Sequence, residues 1–159
     1  MNRSNVTRGP GFLGSKAGYL YLTDTSQGPA GLSRPEGVLP SRQARREQLL
    51  AGLREAGASP RDARLADYDT AIDQSLRLSS PDFTRSFRLE EEKADLRAGY
   101  GGEFGQRCLL ARRLVERGVR FTLLVHGWEN GAYSWDHHRD LKGNLQARIG
   151  EIDQPVAAL

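Results

Sequence analysis

Between Phe104 and Val125 the chain carries the pattern that most narrows its choice of fold. After the pair Gly101-Gly102, Phe104, Cys108, Ala111 and Val115 recur at helical spacing, with Leu110 and Leu114 alongside. Gly118 stops that helix, and Val119-Arg120-Phe121-Thr122-Leu123-Leu124-Val125 follows at once. Large apolar and β-branched residues without clean alternation predict a strand buried on both faces, as in a parallel sheet. Helix, glycine turn and buried strand make half of an α/β repeat. The longest apolar stretch, Phe121 to Val125, is far short of the roughly 20 residues that span a bilayer, so no membrane protein is expected.

The segments before this unit are of two kinds. Residues 1–40 hold seven Gly and four Pro with only six charged residues, which predicts a Gly/Pro-rich irregular arm. Within it, Tyr19-Leu20-Tyr21-Leu22 is the one candidate for an edge strand. From residue 41 the pattern turns helical. Ser41 is placed to cap a helix carrying Leu49, Leu50 and Leu53, and Gly57 to stop it. Ser59-Pro60 opens a second, with Leu65, Tyr68, Ile72 and Leu76 on one face. Ser80-Pro81 repeats the device and sets Phe83 and Phe87 one turn apart. Glu90 to Arg97 reads as an exposed helix, and Leu141, Leu145, Ile149 and Ile152 mark a last one. The 159 residues therefore divide into an arm, 1–40, and a domain, 41–159.

Charge and cysteine content exclude several functions. There are 23 basic and 20 acidic residues, and 20 of the basic ones are arginine. They alternate with acids, as in Arg61-Asp62-Ala63-Arg64, which describes solvated helix faces, and no nucleic-acid partner is expected. A single cysteine, Cys108, forbids an internal disulfide framework and a thiolate zinc cage, and its apolar neighbours make it a buried, inert thiol. The first residues show neither an apolar leader nor paired arginines, so no export signal is read in this chain.

The chemistry-bearing residues gather after the expected strand. His126, His137 and His138 fall within thirteen residues, together with Glu129, Asp136 and Asp140. In open α/β sheets ligands sit beyond the carboxyl ends of strands, where His126 is placed. Asp136 and His138, two apart, pair a carboxylate with an imidazole, a suitable beginning for a divalent-metal site such as zinc. The plain alternative is a pair of surface histidines near a helix start, with Asp136 as the cap. Trp128 and Trp135 are placed to wall a pocket, although loop aromatics more commonly just pack.

The order of motifs carries a resemblance. It runs Gly11-Phe12-Leu13-Gly14, then Tyr100-Gly101-Gly102-Glu103-Phe104-Gly105-Gln106, then Cys108 through Phe121, then Trp135-Asp136-His137-His138 and Asp153-Gln154-Pro155. In this the chain resembles the bacterial domain of unknown function 1501, a sulfatase-like family placed in the alkaline-phosphatase superfamily. The resemblance implies an α/β fold, here a partial alkaline-phosphatase-like one with mostly helices around one or two strands and an incomplete central sheet. It implies a metal-dependent hydrolase acting on a small-molecule phosphate or sulfate ester. The family's Trp-Asp-x-His motif falls on Trp135, Asp136 and His138, which makes Asp136 and His138 the metal candidates. His126 and His137 are additional ones.

Members of that family run to greater length, with a His-Gly-Gly-like segment upstream and further strands downstream, and they often look exported. The expectation is thus a fragment, truncated at both ends and inactive by itself. Exposed apolar surface is expected on Phe121–Val125 and on the last helix, whose neighbours are missing. The alternative is a non-catalytic binding or structural protein in which the Asp-x-His site is vestigial.

Overall fold

A computed structural model describes residues 10–14, 17–22, 24–25, 28–29, 31–32, 34–57, 63–129, 132–133 and 135–159. It is a helical fold with no central sheet among the described residues. The helices are α1 (Pro40–Ala56), α2 (Ala63–Leu78), α3 (Pro81–Thr84), α4 (Ala94–Tyr100), α5 (Glu103–Glu116) and α6 (Leu141–Ala158). The only β-pairing described is a two-residue antiparallel ladder of β1 (Trp128–Glu129) with β2 (Ala132–Tyr133).

This overturns the α/β expectation and the partial alkaline-phosphatase-like sheet with it. A strand needs a neighbour to accept and donate its backbone bonds, and Phe121–Val125 has none among the described residues. The segment keeps the alternation of a strand without its pairing. Leu124 packs against the core, whereas Phe121 and Leu123 are 82% and 73% exposed and Val125 is also exposed. Tyr19–Leu22 likewise forms no strand among the described residues, with Tyr19, Leu20 and Tyr21 exposed and Leu22 packed on the core. The expected apolar exposure of Phe121–Val125 and of α6 is observed, the latter at Leu141, Leu145, Ile149 and Val156.

The chain forms two compact units. One contains Leu22–Gly28 and Asp82–Leu159. Its core is Phe87, Leu89, Tyr100, Cys108, Leu109 and Leu110, with Phe83, Leu96, Phe104 and Leu114 packed around them. Pro81 starts α3 as its position predicts, and Phe83 meets Phe87 edge to face at 5.5 Å. The expected helix over Glu90–Arg97 is instead a 3-10 turn, Leu89–Glu91, followed by α4. Arg113, on α5, is buried. It donates from Nε to the Ser86 carbonyl at 2.9 Å and from Nη2 to the Arg85 carbonyl at 3.0 Å, and pairs with Glu92.

The junction of α4, α5 and α6 is closed by side chains. Helix ends leave carbonyls unpaired, and here glutamines reach them. Gln106 Nε2 donates to the Arg97 and Gly101 carbonyls at 2.9 and 3.0 Å, and Gln154 Nε2 to the Gly99 carbonyl at 2.9 Å. Gly105 sits where a Cβ would fall on the Tyr100 carbonyl, with Pro155 of α6 on its other side. Only a residue without a side chain allows α4 and α5 to come this close.

The other unit contains Thr7–Tyr21 and Pro29–Pro81. Helix α1 begins two residues earlier than expected, with Leu39 rather than Ser41 at the cap position and Pro40 in its first turn, and no side chain caps it. Ser59-Pro60, the expected start of the second helix, lies outside the described residues. Of the apolar residues on these helices, Leu49 and Leu53 of α1 and Leu65 and Tyr68 of α2 are exposed, whereas Leu50, Ile72 and Leu76 are half-buried. The two helices are tied by Arg54, whose Nη1 meets Asp73 Oδ1 at 2.8 Å and whose Nε meets Asp69 Oδ1 at 3.1 Å.

Candidate functional site

The end of the Phe121–Val125 segment brings His126 up to α5 and α6. Arg107 of α5 donates from Nη1 to the Val125 carbonyl at 3.2 Å, which holds the backbone just before the histidine. Its imidazole meets the ring of Phe104 edge on, with centroids 4.7 Å apart. His126 Nδ1 accepts a hydrogen bond from Trp135 Nε1 at 3.0 Å, and Nε2 lies 3.0 Å from Glu151 Oε2. Arg148, one turn earlier on α6, holds both oxygens of Glu151 at 2.8 and 2.9 Å. The histidine side chain is largely buried, and its two ring nitrogens are both engaged within the protein.

Asp136 and His138 face outward beside this cluster. Asp136 Oδ2 and His138 Nε2 are 3.1 Å apart, and their side chains are 60% and 84% exposed. Residues two apart are thus hydrogen-bonded to each other in solvent, the ring Nε2–H donating to the carboxylate. His137 turns the other way. Its Nε2 is shut off from solvent and has no hydrogen-bond partner among the described residues. Asp136 is not the cap of the next helix, for Asp140 fills that place with φ 44° and ψ 57° and accepts from the Gly143 amide at 3.3 Å.

Of the four candidates, the structure joins Asp136 with His138 and sets His126 and His137 apart from that pair. No group of three or more His, Cys, Asp or Glu suited to a metal ion occurs among the described residues. Two donors fit part of a divalent-metal shell, since a carboxylate and an imidazole are ordinary ligands of zinc, and they supply half of a tetrahedral set. Trp128 has a described backbone position in β1, and nothing further bears on the pocket expected between it and Trp135. The residue missed from sequence is Glu151, twenty-five positions from His126, whose helical spacing carries no sign of that contact.

Two other features limit the chemistry. Cys108 is buried, and loss of water around it pushes its thiol above the usual value, which disfavours the nucleophilic thiolate. No helix among the described residues is long and apolar enough to cross a membrane.

Neither the curated proteins nor the solved structures include a match to this chain. One family model, described as protein of unknown function (DUF1501), matches residues 1–159. The chain belongs to that family.

Proposed function

We propose that this chain contributes the Asp136–His138 pair to a divalent-metal site in a sulfatase-like protein that hydrolyses phosphate or sulfate esters, and that the 159 residues alone turn over no ester. The observation carrying this reading is the 3.1 Å approach of Asp136 Oδ2 and His138 Nε2 at an exposed loop. A bound divalent ion would polarise an ester oxygen. Asp136 and His138 would hold that ion in place of the proton now between them, and the rest of its shell would come from water or from donors outside the described residues. The lack of turnover is expected from the donor count, because two ligands among the described residues leave the ion loosely held.

The test is calorimetric titration of the chain with Zn2+ and Mn2+, alongside assays with p-nitrophenyl phosphate and p-nitrophenyl sulfate. Weak binding that is lost when Asp136→Asn is combined with His138→Gln, with no turnover, supports the proposal. Ester hydrolysis by the chain alone overturns its second part. Absence of metal binding overturns the first and favours a non-catalytic binding or structural protein. The exposed apolar residues of Phe121–Val125 and α6 suit that second reading.

A further inference from the structure

The hydrogen bonds around His126 determine its tautomer. An indole N–H only donates, so the Trp135 Nε1 bond requires a lone pair on His126 Nδ1. The ring proton of the neutral imidazole then sits on Nε2 and is donated to Glu151 Oε2. A histidine that ligates a metal through Nε2 must carry its proton on Nδ1 instead, where a second donor cannot point at it. The indole of Trp135 therefore blocks ligation through Nε2 and occupies Nδ1 itself.

We infer that His126 is a positioning residue, a latch held in one tautomer that fastens the loop bearing Asp136 and His138 to α6 through Trp135 and Glu151. This rests on the reading that Asp136 and His138 hold a metal. Trp135 immediately precedes Asp136, so the bond to His126 fixes the chain one residue from the first donor. Every neighbour of the ring agrees with the role. Phe104 packs its edge from α5, Glu151 accepts from α6, and Arg148 pins that carboxylate in place. Arg107 fixes the backbone leading into the ring.

The test is long-range 1H–15N correlation on the 15N-labelled full chain, which reports the protonation of each ring nitrogen. In the metal-free protein His126 is expected as a single Nε2–H tautomer, and adding Zn2+ is expected to shift the His138 ring while leaving that of His126 unchanged. Trp135→Phe keeps an aromatic ring and removes the donor. It is expected to release His126 into a mixture of tautomers and to weaken Zn2+ binding by about tenfold, the low end for a residue acting behind the ligands. Glu151→Gln, which still offers an acceptor, is expected to retain the tautomer. An Nδ1–H tautomer, a Zn2+-induced shift at His126, or an unchanged tautomer in Trp135→Phe each overturns the latch. If Zn2+ shifts neither histidine, the metal reading fails, and the metal-free tautomer by itself decides whether the latch exists.

Discussion

The two units of this chain are held together in different ways. Around α5, Tyr100 and Leu109 are completely buried, and even a guanidinium, Arg113, is taken out of water and given carbonyl and carboxylate partners. In the unit of α1 and α2, Leu32 is the buried hydrophobic residue described, and the helices are joined by the Arg54 ion pairs while Leu49, Leu53 and Leu65 face solvent and Leu50, Ile72 and Leu76 are only half-buried. Buried apolar area gives roughly 25 cal/mol per Å² and is not screened as charges are. Exposed ion pairs give little and are screened. The difference teaches that the α5 unit carries the stability of the chain, and the candidate site is built on it.

The largest effect that can break this comparison is truncation of a leucine in each unit. Leu109→Ala is expected to cost about 3 kcal/mol, as for buried leucines elsewhere, whereas Leu53→Ala is expected to stay within about 0.5 kcal/mol. Urea denaturation of both variants measures this, and equal losses would mean that the α1–α2 unit has a core of its own. A smaller effect sharpens the electrostatic side. Arg54→Met is expected to loosen α1 from α2 in low salt and to change little in concentrated NaCl, read by hydrogen exchange of the α2 amides.

The smallest effect concerns acid. Hydrogen bonding from Arg85, reinforced by the nearby Arg113 and Arg88, holds Glu91 below the usual carboxylate range. A carboxyl whose folded value is depressed stabilises the protein above its unfolded value, about 4.3 for glutamate, and that contribution is lost as pH falls through the folded value. Thermal melts from neutral into acid pH are therefore expected to show a decline beginning below about 4.3 that is reduced in Glu91→Gln. An identical decline in the variant would assign the acid sensitivity to other carboxyls.

Legibility in the sequence followed the range of the forces involved. Helix α5 was readable because its apolar spacing and flanking glycines are local signals, and α3 because Pro81 announces its first turn. The Phe121–Val125 strand was not, since a strand is made by pairing with distant residues and its own composition supplies only the propensity. The burial of Arg113 was not legible, because nothing nearby in sequence shows that the Ser86 and Arg85 carbonyls await it, twenty-seven and twenty-eight residues back. The adjacency of Asp136 and His138 was legible from their spacing. The engagement of both His126 nitrogens was not, because Glu151 reaches it from another element. Asp140 was preferred to Asp136 as the cap of α6 by backbone geometry alone, which two aspartates in one loop do not reveal.

The alternation at Phe121, Leu123 and Val125 has a consequence for how the chain behaves in concentrated solution. Three exposed, β-favouring side chains lie in one uncharged, proline-free run whose backbone has no ladder partner among the described residues. Such a run is a template for edge-to-edge self-association, and here it is bracketed by Arg120 on one side and His126 on the other. Of the two, Arg120 carries the charge that opposes such pairing, and Arg120→Ala is the change expected to raise self-association.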